Sequence, residues 1–148
     1  MDDYMMEKWN SVVKPGDRVY HLGDVTFNYK KFDEVIAPRL HGSKRLILGN
    51  HDELGNKILQ KHFTKVTLWR VFKEHGFLAT HVPLRLDQFG YKGVLNVHGH
   101  IHQNLIDDHR FMNACVEHHD YTPIHLDTIL KRVEDVKEIN ARIEQEAR

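Results

Sequence analysis

A single cysteine, Cys115, leaves the chain of 148 residues without the means to close an internal disulfide. That fits a reducing, cytoplasmic setting. No run of about 18 apolar residues occurs, so the sequence offers no helix able to span a bilayer, and no membrane partner is expected. Residues 1–10 are acidic and amphipathic where a secretory leader is basic and apolar, so no signal peptide is read there. Net charge is zero, with 21 basic against 21 acidic residues, which removes any compositional argument for nucleic-acid or membrane binding. Repeats, low-complexity tracts and Gly/Ser linkers are also lacking, and residues 1–148 read as one domain.

What is present is a hydrophobic share of 41%, ordinary for a globular chain. A chain of this length buries roughly two-thirds of its unfolded surface. It also carries 13 histidines, and histidine is both the commonest metal ligand and a frequent acid–base group. Their placement decides whether the number means anything.

Hydrophobic periodicity predicts a helix over 2–14, stopped by Pro15-Gly16-Asp17. A short β-type run, Arg18 to Leu22, ends at Gly23-Asp24. A helix is expected over 29–40, then a strand over 44–48 that ends at Gly49-Asn50-His51-Asp52. A further helix covers 53–61. Residues 65–81 read as two strands about a turn at His75-Gly76, the second ending at His81. Residues 94–97 form a strand running into His98-Gly99-His100-Ile101-His102, 111–116 another, and 126–146 an amphipathic helix. Lys44 and Arg45 read as charges that flank a strand for solubility. Four strand-like runs therefore end in Asp, Asn or His, with glycine beside three of them. In layered α/β proteins ligands bind at the carboxyl ends of strands, so the chemistry is expected on that rim.

Each piece has an ordinary reading beside a chemical one. Asp24 can offer a carboxylate to two cations, but Gly-Asp is also helix-cap and turn material. Asn50 offers a neutral oxygen to a metal, and His51 can protonate a leaving group, yet Gly-Asn is turn material too. His81 alone suits a satisfied structural histidine. His100 and His102, spaced i and i+2, project to one side of an extended chain; Gly99 removes a side chain beside them, and His98, deeper in the strand, reads as packing or as a support behind the ligands. Arg85, four residues after His81, is a candidate phosphate contact or an ordinary surface arginine.

Taken in order, Gly23-Asp24, Gly49-Asn50-His51-Asp52, His81 and Gly99-His100-Ile101-His102 resemble the calcineurin-like metallophosphoesterase signature, over residues 1 to about 125. The resemblance implies an α/β fold of mixed β-sheet layers flanked by helices. It implies that Asp24 bridges two metals, that Asn50, His81 and His100 complete one position, and that His102 belongs to the other. His51 would be the catalytic histidine that is not a ligand. Oxygen and imidazole ligands suit manganese first, and iron, zinc or nickel as alternatives. Metal-activated water would then attack the phosphorus of a phosphomonoester or phosphodiester.

The family's first motif, Asp-x-His, and its strand have no counterpart here, and His21 has the wrong strand parity to replace it. The expectation is therefore an N-terminally truncated family member. One metal position would be well formed, and the second weak or completed from elsewhere. An unpaired sheet edge would favour self-association. Two alternatives stay open: a metal-binding but catalytically impaired module acting through a partner, and a nuclease-type phosphodiesterase, the latter disfavoured by the absence of a basic stripe.

Overall fold

Leu46 and Ile47 are neighbours on one strand, each at most 1% exposed, and they enter two different apolar clusters. Side chains alternate faces along a strand, so this strand is covered on both sides, as parallel sheets are. The computed structural model describes residues 1–85, 87 and 93–148. In chain order they form α1 (Asp2–Val12), β1 (Arg18–His21), α2 (Tyr29–Lys31), β2 (Ser43–Ile47), α3 (Lys57–His62), β3 (Lys65–Thr67), β4 (Trp69–Phe72), β5 (Phe77–Thr80), β6 (Leu95–His98), β7 (Phe111–Asn113) and α4 (Leu126–Glu146).

The strands make two sheets: an all-parallel one ordered β1-β2-β3, and a mixed one ordered β4-β5-β6-β7. In the second, β4 runs antiparallel to β5, while β5, β6 and β7 are mutually parallel. One apolar cluster draws on both sheets and on α4, joining Ile47, Phe72, Phe77, Ala79, Leu95, Val97, Val133 and Val136, with Tyr20 and Leu22 packed against it. The other lies on the outer face of the parallel sheet, where Phe32, Ala37, Leu59 and Phe63 cover Leu46. The result is an α/β fold in which four strands, β1, β2, β5 and β6, deliver their carboxyl ends to one rim. No helix among the described residues is long and apolar enough to cross a membrane.

Several expected boundaries shift for identifiable reasons. The helix expected over 29–40 is broken into α2, a wide turn at Phe32–Ile36 and a tight turn at Ala37–Arg39. Pro38 has no N–H to give the carbonyl four residues back, so the coil loosens before it and tightens around it. The helix expected over 53–61 begins only after Asn56, whose side chain accepts from the amides of Ile58 and Leu59. Residues 65–81 hold three strands, because the chain changes sheets at the exposed Leu68. The strand expected over 111–116 stops at Asn113. Lys44 is not a solubilising charge: it is buried, and its ammonium donates to the carbonyls of Leu40 and Gly42 at 3.1 and 3.0 Å.

The second face of β6 is polar although buried. Asn96 is wholly enclosed; its amide donates to Leu78 O and Thr80 Oγ1 at 3.2 and 3.0 Å, and its Oδ1 accepts from Leu84 N at 2.7 Å. It thereby ties β6 to β5 and to the segment that follows His81. A buried polar group that loses its partner costs about 1–3 kcal/mol. Asn96→Ala is therefore expected to lower unfolding free energy by about 2–3 kcal/mol, read as a fall in the urea midpoint at unchanged m-value.

Candidate functional site

Two glycines let the loops after β1 and β2 touch. A Cβ on Gly49 would lie 2.2 Å from Asp24 Oδ1 and 2.4 Å from Asp24 N, and one on Gly23 would lie 2.4 Å from Gly49 N. Gly23 also has φ 97°, open mainly to glycine. Asp52 fastens the two loops: its Oδ2 accepts from Asp24 N and Gly49 N, and its Oδ1 from Val25 N, each at 2.8 Å. Asp24 itself stands at φ 55°, and His100 and His102 at 70° and 51°. Left-handed backbone at residues other than glycine is uncommon and costs of order 1 kcal/mol or more each. At Asp24 and His100 it accompanies side chains that meet at one point.

That point is His81 Nε2. It lies 2.9 Å from Asn50 Oδ1, 3.2 Å from His100 Nδ1 and 3.3 Å from Asp24 Oδ2. The other ring nitrogen, Nδ1, is 2.6 Å from Leu22 O. A carbonyl only accepts, so Nδ1 carries a proton and donates it. In the neutral ring Nε2 then presents a lone pair to a carbonyl oxygen and a carboxylate. Such an arrangement needs a positive charge at its centre, either a proton on Nε2 or a cation. Asp24, His81 and His100 have ligand atoms that all lie within 4.8 Å of one another, a group that could hold a metal ion, and Asn50 Oδ1 adjoins it. The remaining Asp24 oxygen, Oδ1, accepts from His51 N at 2.9 Å.

The structure thus gathers four of the residues singled out in the sequence: Asp24, Asn50, His81 and His100. The others stand apart. His51 is exposed, its ring edge-on to the exposed Phe27 at 5.3 Å. His102 lies outside the cluster, with Nδ1 3.2 Å from Glu117 Oε1. Arg85 is exposed and forks onto Asp87 at 2.5 and 3.2 Å. His98 is buried edge-on to Phe111, which fits the first of the two roles read for it. His21 turns to the other side of its sheet, against Phe63. Gly99 is not required beside His81, since a Cβ there would meet its neighbours at ordinary distances of 3.5 Å and more.

Three supporting residues had no role in the sequence reading: Asp52, named there only as part of its motif, Glu117 and Asn113. Asn113 donates to the carbonyls of His102 and Asn104 at 2.8 and 2.9 Å and so holds the strained His102 turn. Of these only Asp52 had a signal, since an aspartate three residues after a glycine is a natural acceptor for turn amides. A groove of about 400 Å³ runs beside Asn50 and His81, walled by Leu54, Leu68, Trp69, Val82 and Leu84.

Fold and cluster together define an α/β protein with histidine, carboxylate and amide side chains converging at the strand ends. No family model matches the chain. It is 31% identical over 148 residues to the uncharacterized protein MJ1445 of Methanocaldococcus jannaschii, covering 93% of this chain and 77% of that protein. The chain belongs to the same family as that archaeal protein. It is also 37% identical over 103 residues to the Gene 66 protein of Mycobacterium phage L5, a match spanning 66% of this chain and 49% of the phage protein. Among solved structures, the protein of unknown function AQ665 from Aquifex aeolicus superposes with a TM-score of 0.74 at 29% identity, over 88% of this chain and 83% of that one.

Two outcomes are expected. Gly49→Ala forces Asp24 out of place, so divalent-metal affinity measured by calorimetry should fall at least about tenfold, with the fold retained by circular dichroism. The second concerns pH. Burial holds His21 below its usual pKa, and His98 likewise; His21 Nδ1 also accepts from Gly23 N at 3.1 Å, a bond that its protonation removes. The unfolded chain takes up protons at these sites near pH 6.5, where the folded one does not. Stability should be level above that pH and fall as pH drops below it toward the folded values. His21→Gln should make that fall shallower in urea titrations between about pH 5 and 7.

Proposed function

We propose that the chain is a metal-dependent phosphoesterase that hydrolyses a phosphomonoester or phosphodiester. One observation carries the reading: Asp24 Oδ2, Asn50 Oδ1 and His100 Nδ1 converge within 3.3 Å of His81 Nε2, whose partner nitrogen is already committed to Leu22 O. Ligand atoms brought together in this way suit a divalent cation, and the mixture of oxygen and imidazole ligands suits manganese first, then iron, zinc or nickel. The order of these residues along the chain, which resembles the calcineurin-like signature, supports the same reading.

Asp24, Asn50, His81 and His100 would hold the ion. When bound, it supplies Lewis acidity and lowers the pKa of water so that hydroxide is available near neutral pH. The protein's own part is position and protonation. The Leu22 carbonyl fixes the His81 tautomer and ring plane, as outer partners of ligating histidines do. The His51 amide holds Asp24, which couples the place of the His51 ring to the cluster. Exposed at the rim, His51 is the group free to give a proton to a departing alkoxide. The groove beside Asn50 gives an apolar bed for the organic part of the ester.

A second reading, a metal-binding module without turnover that acts through a partner, is favoured by one observation. His102 faces Glu117 and not the cluster, so a second cation position is less developed. Manganese-dependent hydrolysis of an aryl phosphodiester separates the two, with Asn50→Ala protein as the blank. The phosphoesterase reading expects turnover above the blank and a loss of about 10²-fold or more in kcat for His51→Ala at unchanged metal content. Folded, metal-loaded protein that shows no turnover above the blank leaves the module.

A further inference from the structure

A second cleft, of about 300 Å³, opens where the chain crosses from one sheet to the other; Tyr20, Arg45, Lys65, Thr67, Trp69, Arg70 and Val71 line it. Its charge follows from register. Tyr20 pairs with Arg45, and Arg45 with Lys65, so the three stand in one row across the parallel sheet. That row is on the face of Ile47, two residues beyond Arg45, which packs toward the second sheet. Arg70 enters from β4, two residues before Phe72 of the same cluster. Two arginines and a lysine therefore line one small space between the sheets, and none of the lining residues is acidic.

Their partners do not account for them. The Nε atoms of Arg45 and Arg70 are shielded from solvent and have no hydrogen-bond partner among the described residues. Arg45 Nη1 donates to Tyr20 OH at 3.1 Å and its guanidinium stands 5.8 Å from the Tyr20 ring centre. Arg70 stands 5.1 Å from the Phe72 ring centre, and its Nη2 reaches Glu74 only at 4.0 Å. Contacts with rings compensate part of a cation's lost hydration, but a buried donor without an acceptor still destabilises the fold, and like charges held together add repulsion. An acceptor with two negative charges and several oxygens removes both costs at once. Guanidinium forks match a phosphate group in geometry as well as charge, and Thr67 and Tyr20 add hydroxyl groups to the wall.

We infer that this inter-sheet cleft is a binding site for a dianionic phosphate group, with Arg45, Arg70 and Lys65 as its cations and Trp69 and Val71 as an apolar wall. It is distinct from the strand-end cluster: Arg45 lies four residues, about 13 Å of strand, before Gly49. The inference does not depend on the proposed hydrolysis.

The test uses chelator-treated full-length protein, so that metal-bound phosphate does not interfere. Inorganic phosphate is titrated at constant ionic strength set with sodium chloride, and the arginine Nε–H signals are followed by ¹⁵N NMR. The Arg45 and Arg70 signals should move together along one saturable isotherm, and Arg45→Gln or Arg70→Gln should weaken binding at least about tenfold. Asp24→Asn should leave that isotherm in place. Lys65→Gln, at an exposed position, keeps the test open if an arginine variant fails to fold, and it too should weaken binding. Signals that follow ionic strength without saturating, or an isotherm unchanged in the Arg45, Arg70 and Lys65 variants, would overturn the inference.

Discussion

The bond from His81 Nδ1 to the Leu22 carbonyl, 2.6 Å long, orders the site from both sides. It ties the end of β5 in the mixed sheet to the end of β1 in the parallel sheet. It also fixes which ring nitrogen faces the rim. With that tautomer set, Asn50, His100 and Asp24 surround an atom that has no proton to give unless the ring is charged. The Asp24 carboxylate, the Asn50 carbonyl oxygen and two imidazoles thus meet at the junction of the two sheets, a group that could hold a metal ion.

Holding such a point costs backbone strain, and the structure shows where it is offset. Asp24 is kept at positive φ by the Asp52 carboxylate, which gathers three amides from both loops. His102 is kept there by hydrogen bonds from Asn113 and His118 to its carbonyl. The Asp52 and Asn113 bonds are at half-buried groups, where hydrogen bonds are worth more than in open water. The apolar clusters do the remaining work: Ile47, Leu95 and Val97 brace the strands whose ends carry the clustered side chains. Rigid strands under strained loops thus hold Asp24, Asn50, His81 and His100 in a fixed arrangement.

Much of this was legible in the sequence. The strands could be read because apolar runs end abruptly in Gly-Asp, Gly-Asn-His and Gly-His-x-His, and Asp24, Asn50, His81 and His100 were correctly placed on one rim. The α4 boundaries followed from its 3.6-residue periodicity. Other features depend on relations that no local pattern carries. Whether His102 joins the cluster turns on a backbone φ and on Glu117, 15 residues away. The division into two sheets depends on a one-residue crossing at Leu68, too short to leave a turn signal. Lys44 looked like a surface charge because its acceptors, two carbonyls of the preceding loop, have no sequence signature. The facing of Arg45 and Arg70 needs the packing of one sheet on the other.

The central claim is that the Asp24–Asn50–His81–His100 cluster is built for a divalent cation. Anomalous diffraction from crystals soaked in manganese tests it most directly. The account predicts a single strong peak within coordination distance of Asp24 Oδ2, Asn50 Oδ1, His81 Nε2 and His100 Nδ1, with the His81–Leu22 bond intact. A cluster with no peak, its His81 Nε2 still in hydrogen-bond contact with Asn50, would contradict it.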